Sequence, residues 1–411
     1  MLCGFCWGAC AERSRDNPLD PLNKNTQGKL ASPILLAQDK SVKVSWQALE
    51  VDRLKEYNVY RQLADERDFQ KIARVSHLSN YFWDLDVPVD TLLSYKISAS
   101  FETFESLHSD VSQIRPGPSS LWAIDSGLEQ VLKFRHDTRA TEFKRIMLYR
   151  PVALRLVKEG LFAWILFENH NDILKLGRNG EYLAFVTLPQ RALSIELDKT
   201  DQSFWAINTG AKSVTLYDSS GVELFSFAGF GYLQSLAINQ NDQSLWVLDR
   251  GNGTISSFSR NGLLKLSLGG FENGKQIAFD SAREILWVAD STEVKNWRPG
   301  VGITTVISGL ENAHKLALND RDGDCWVLSS SPQIGESRLL NISEGGAINT
   351  NASGFAKPVA IAVNPFNGNC FVSDTRSTRG FLKEINRLGD VVGERETGGI
   401  LISMTVEFME K

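Results

Sequence analysis

The sequence predicts an all-β protein in two parts. A β-sandwich is expected at 33–115, and a longer repeat region at 116–411 that is closed by its own C-terminal strand. Three observations predict this. Short runs alternate apolar and polar residues with period two, as in LWVLD, TISSFS and LLKLSL within 244–270. Those runs are separated by RGNG and SRNG, and Asn-Gly pairs favour tight hairpins. One aromatic strand then recurs at a nearly constant interval along two thirds of the chain.

Composition narrows the function classes. At 411 residues the chain is long enough for two or more domains, and its 42% apolar and 23% charged residues are ordinary for a globular protein. A net charge of −5 supplies no basic field for nucleic acid. No run of apolar residues reaches the length of a transmembrane helix. Of the five cysteines, Cys3, Cys6 and Cys10 crowd the N-terminus, while Cys325 and Cys370 lie far downstream. Cys3 and Cys6 make one CxxC, but neither a second pair nor a βαβ pattern accompanies it, so neither a zinc nor a redox site is expected.

Residues 1–9 (MLCGFCWGA) are apolar and small, and at Cys10 the composition switches to AERSRDNPLDPLNKNTQGK. An apolar segment ending in small residues is the outline of a secretory signal. Gly8-Ala9-Cys10 followed by a polar stretch resembles the lipobox of bacterial lipoproteins. That resemblance implies lipidation at Cys10 and an extracytoplasmic, membrane-anchored protein, periplasmic or on the cell surface. A disordered N-terminus with incidental cysteines is the alternative. Residues 11–32 read as a flexible tether, because they carry too little apolar surface to fold.

Between 33 and 115 the alternating runs are 41–49, 56–64, 69–76, 80–86 and 92–102, with turn residues between them. Several short strands at this spacing predict a sandwich. Trp46 on the second strand, the YNVYR run at 57–61 and SYKISA at 94–99 resemble a fibronectin type III domain. The resemblance implies a tyrosine-corner position for Tyr95 and a spacer or adhesion role. Arg115-Pro-Gly-Pro-Ser-Ser120 reads as a stiff linker.

From Ser119 onward, the aligned aromatics are Trp122, Trp164, Trp205, Trp246, Trp287, Trp326 and Phe371, spaced 42, 41, 41, 41, 39 and 45 residues. Self-similarity at this period with four strands per unit is the signature of a β-propeller. The first unit begins at its Trp strand and lacks an innermost strand. GILISMTVEF at 399–408 supplies one, so pairing the two closes the ring and leaves no open sheet edge. Seven aromatics predict seven blades; six follow if the irregular segment 134–145 keeps the first unit from being a proper blade. WVLDRGNGTISSFSRNG at 246–262 is similar to the NHL-type repeat, and more distantly to Trp-Asp repeats. Asp125, Asp249, Asp290 and Asp374 hold the acidic position after the aromatic, whereas Phe167, Asn208 and Ser329 depart from the pattern.

The repeated Trp side chains are expected in the core between blades, and the repeated Asp as a turn-stabilising acceptor. Cys325 and Cys370 fill the apolar slot that Leu121 and Leu245 hold elsewhere. The candidate binding surface is the channel mouth, because loops on one face of a rigid scaffold commonly carry function. Its candidate residues are Gln234, Lys275 and His314 at the starts of inner strands, with His170, Arg250, Asp290 and Arg376 in the flanking loops. Only His170 and His314 of the five histidines reach this mouth, too few for a histidine-rich zinc site. Neither a metal nor a cofactor is expected, and no GxSxG, HExxH or phosphate loop occurs.

These features predict non-catalytic extracytoplasmic binding or scaffolding, with a protein or polar ligand at the mouth and the membrane reached through a lipid anchor. Related propellers include calcium-dependent lactonases and zinc lyases. The alternative is therefore a lactonase-like or streptogramin-lyase-like hydrolase or lyase, with His314 at the mouth.

Overall fold

The computed structural model describes residues 17–38, 40–138, 141–157, 162–210 and 212–408. Cys10 and the signal-like segment lie outside them. The chain divides after Pro118 into two compact units.

In the first unit, strands Ile34–Gln38, Ser41–Ser45 and Tyr81–Leu85 form one sheet. Gln70–Ser76, Glu56–Leu63, Leu93–Ser100 and Ser112–Ile114 form the other. Alternation turns Val42 and Val44 of the first sheet, and Tyr57, Val59, Tyr95 and Ile97 of the second, into a single core. Two strands were not expected. ILLAQ at 34–38 has no polar alternation, and 112–114 is too short to show a period. The expected strand 41–49 ends at Ser45. Trp46 lies just beyond it, donating its amide to Asn80 O at 3.0 Å and packing its ring 5.1 Å from that of Tyr57. Tyr95 lies near the start of its strand as expected, but its hydroxyl donates to the Asp84 carboxylate at 2.7 Å rather than to backbone. Burial and the neighbouring Asp84 charge push its phenol well above the ordinary value.

The second unit contains five four-stranded antiparallel sheets and one of six strands among the described residues. In the six-stranded sheet, Ile285–Arg298 and Gly302–Leu318 each run through what are two separate strands elsewhere. The last strand, Leu401–Phe408, pairs with Ser119–Asp125, from Leu401 opposite Asp125 to Phe408 opposite Ser119. This is the closure expected from the missing inner strand.

Trp122, Trp164, Trp205, Trp287 and Trp326 are fully buried, and Trp246 is 4% exposed. They pack into apolar clusters that join successive sheets, such as Trp164 with Phe204 and Trp246 with Phe279. Cys325 and Cys370 are buried free thiols. The SRNG turn needs its glycine: Gly262 has φ of 79°, and a Cβ there would lie 2.4 Å from the Phe225 ring.

Candidate functional site

The innermost strands of the second unit follow one another in cyclic order. Leu401–Phe408 lies beside Pro151–Leu156, then come Ala192–Leu197, Leu233–Ile238, Gln276–Asp280, the end of Gly302–Leu318 and Ala360–Val363, which returns to Leu401–Phe408. Near its start, each of five inner strands slips by one residue against its Trp-bearing neighbour. The slips fall between Leu401 and Ser403, Pro151 and Ala153, Ala192 and Ser194, Leu233 and Ser235, and Ala313 and Lys315. A bulge leaves one residue out of the ladder and re-aims its side chain. The residues left out are Ile402, Val152, Leu193, Gln234 and His314. Lys275 and Val359 take the matching place in the other two, each donating its amide to the residue two beyond the aromatic (Ala289 and Ser373) at 2.8 Å.

Three of the sequence-predicted residues, Gln234, Lys275 and His314, therefore come together at one ring of positions on three successive strands. The other four lie outside that ring. His170 stacks on Tyr149 at 3.6 Å between ring centroids. Arg250 is exposed in its turn and donates to Glu272 O at 3.2 Å. Arg376 pairs with Glu394 at 3.2 Å and lies over the Phe381 ring. Asp290 is 7% exposed and accepts from Lys295 at 2.6 Å, while its other oxygen is buried without a hydrogen-bond partner.

The repeated Asp fixes connections in the most regular unit. Asp249 accepts from the amides of Gly231 and Tyr232 at 2.8 Å and of Gly251 at 3.0 Å, tying the turn after its own strand to the approach of the inner strand. Asp374 does the same for Ala356 and Lys357.

One step deeper, side chains stitch adjacent inner strands. The Ser403 hydroxyl accepts from Leu154 N at 3.4 Å, Ser235 from Ile277 N at 3.2 Å, and the Gln276 amide oxygen from Leu316 N at 3.1 Å. In the next repeat this slot holds Lys315. Burial lowers its ammonium below the ordinary lysine value, and the Arg155 charge adds to that. Burial likewise lowers the His314 imidazole, with Lys315 and Lys275 acting in the same sense against a bond to Asn312 O. Arg155 reaches Glu196 at 3.4 Å. Among the described residues, Lys275 and Lys315 have no carboxylate partner. Lys315, Arg155 and Glu196 were missed by the sequence reading. Aligning the inner strands by distance from their aromatic, with QSLAI beside HKLAL, exposes the lysine in a serine slot.

At the opposite end, Lys199 and Asp320 form an exposed pair at 3.1 Å between connections three repeats apart. No group of three or more His, Cys, Asp or Glu side chains among the described residues is placed to hold a metal ion. No helix among them is long and apolar enough to cross a membrane.

Solved structures with this arrangement of sheets are β-propellers. A provisionally assigned 6-phosphogluconolactonase from Bacteroides uniformis superposes with a TM-score of 0.57 at 10% identity, over 70% of this chain and 98% of its own. The WD40 repeats of RRP9 match with a TM-score of 0.54 at 12% identity, over 69% and 88% of the two chains. The β-propeller domain of Cps50 (Swd1) from Myceliophteria thermophila matches with a TM-score of 0.51 at 11% identity, over 66% and 99%. Neither a protein-family model nor a curated protein matches the sequence. The repeat region is a β-propeller, and identities this low speak to fold alone.

Proposed function

We propose that this chain is a lipid-anchored extracytoplasmic binding or scaffolding protein. In this reading a fibronectin type III-like sandwich precedes a seven-bladed, NHL-like propeller whose channel mouth takes a protein or polar ligand. Seven inner strands in cyclic contact support the blade count, and the six-stranded sheet supplies two four-stranded blades when its two long strands are each counted twice. The three-plus-four sheet arrangement supports the sandwich type. Gly8-Ala9-Cys10 supports the anchor. A stable anchor needs more than one acyl chain, so mass spectrometry of the native N-terminus tests it, and a free Cys10 contradicts it.

The observation that carries the binding reading is the convergence of Gln234, Lys275 and His314 at one rim, with Lys275 unpaired. Substituting His314 or Arg250 by Ala should weaken capture of a verified partner and leave the melting curve unchanged. If neither variant alters capture, the mouth is not the site.

A hydrolase or lyase is the second reading. His314 favours it, because burial and two nearby lysines lower its imidazole and so favour the neutral form that accepts a proton. The provisional lactonase name of one propeller neighbour suggests the substrate to try first. Lactone hydrolysis by the wild type that disappears in His314→Ala would establish it.

A further inference from the structure

The ring of bulge positions divides by chemistry. In contact order, Gln234, Lys275 and His314 come from three successive inner strands; Val359, Ile402, Val152 and Leu193 come from the four that complete the circle. Polar and apolar side chains therefore form two opposed arcs rather than alternating. The apolar arc is not fully covered by the protein: Leu193 is 39% exposed and the other three are half-buried.

Lys315 adds a second, independent observation. In three of the other six repeats its slot holds Ser403, Ser235 or Gln276, each accepting an amide from the next strand, and in two more it holds the small Ala153 and Ala360. An ammonium has no acceptor and cannot make that stitch. The fold thus forgoes a hydrogen bond and places an unpaired cation within the channel, beside a rim that already carries Lys275. Burying an uncompensated charge is unfavourable. A lysine in this slot with no carboxylate partner among the described residues is expected where a ligand supplies the missing charge.

We propose that the mouth binds a small amphipathic anion, its acidic group held by Lys275 and Lys315 and its apolar body laid on the opposite arc. This rests on the mouth being the binding face. A plain anion would leave the apolar arc wet, and a neutral apolar molecule would leave both lysines unpaired.

Calorimetric titration of the full chain with octanoate, acetate, inorganic phosphate and octan-1-ol tests this. Octanoate should bind, and the other three should bind about ten-fold more weakly or less. Lys315→Met should weaken octanoate binding by about ten-fold, as loss of a charged contact does. Leu193→Ser, on the opposite arc, should weaken it several-fold while acetate binding stays unchanged. Leu193→Ser should keep the wild-type melting curve and Lys315→Met should melt at the wild-type temperature or above it, which separates lost binding from lost folding. Acetate binding as tightly as octanoate would overturn the amphipathic ligand and leave the mouth as the binding face. Octanoate binding that neither substitution alters would overturn both. No octanoate binding at all would overturn the amphipathic ligand alone, because partner capture tests the mouth separately.

Discussion

The Lys133 ammonium lies 2.8 Å from the Glu407 carboxylate, with the two side chains 3% and 2% exposed. Glu407 belongs to the last strand of the chain and Lys133 to Gln130–Phe134, two strands outward in the same sheet. Trp122, on the strand between them, donates its indole N–H to Glu407 at 2.9 Å, and Lys133 also pairs with Glu142 on the outermost strand at 3.0 Å. One buried charge cluster thus connects all four strands of the sheet that joins the two ends of the propeller.

Glu407→Ala should be strongly destabilising. It leaves Glu142 as the one carboxylate paired with Lys133, removes the partner that Arg178 holds at 2.6 Å and leaves the Trp122 indole without its acceptor, and breaking a buried pair from one side costs about 3–5 kcal/mol. Urea denaturation measures this, and a loss below about 1 kcal/mol would contradict the role given to the cluster. Truncation after Gly398 goes further, exposing the edge of Ser119–Asp125, and should produce aggregation visible in size-exclusion chromatography.

Trp246 and Arg250 lie four residues apart with opposite expected costs. Trp246 packs on Phe279 and on Trp297, whose ring centroid is 4.9 Å away, so Trp246→Ala should cost about 3–5 kcal/mol. Arg250 is exposed in its turn, and its change to Ala should stay within about 0.5 kcal/mol. Thermal denaturation of the two variants side by side checks the pair.

Asp374 should make propeller stability pH-dependent. Burial alone would raise its carboxyl, but the Lys357 amide, the Lys383 ammonium at 3.0 Å and the Ala356 amide outweigh burial and hold it below the ordinary value. A group depressed in the folded state stabilises fully above its unfolded value, about 3.9 for Asp, and loses that contribution as pH falls through the folded value. The stability difference between wild type and Asp374→Asn should therefore be constant near neutrality and shrink below about pH 4. A difference that grows on acidification has the wrong sign.

In the first unit, Tyr95→Phe removes the hydroxyl that donates to Asp84, which is also held by Arg61 at 3.0 Å. Hydrogen bonds to charged groups contribute about 1.5–3 kcal/mol, and the unit should lose about that much in chemical denaturation.

The sequence made the strands and the ring legible because both rest on periodicity. The period-two runs put Val247 and Trp246 on opposite faces, and the aromatic spacing set the repeat. The closing strand followed from counting strands in the first unit. Register did not follow, because a one-residue bulge at Gln234 or His314 leaves the apolar pattern nearly unchanged while re-aiming one side chain. Fusion of neighbouring strands into Ile285–Arg298 and Gly302–Leu318 was hidden for a related reason: turn residues such as Ser291 and Gly309 stand there inside continuous strand. At the rim, Gln234, Lys275 and His314 could be picked from their place at strand starts. Lys315 could not, since its meaning depends on what Ser235, Gln276 and Ser403 do in the same slot.

The central claim is that the propeller mouth is the binding face. Its most direct test is the affinity of a verified partner or ligand for wild type and for a Lys275→Ala, His314→Ala double variant, read beside their melting curves. The account predicts binding weakened about ten-fold or more, from two lost polar contacts, with melting unchanged. Equal affinity for the two proteins would contradict it.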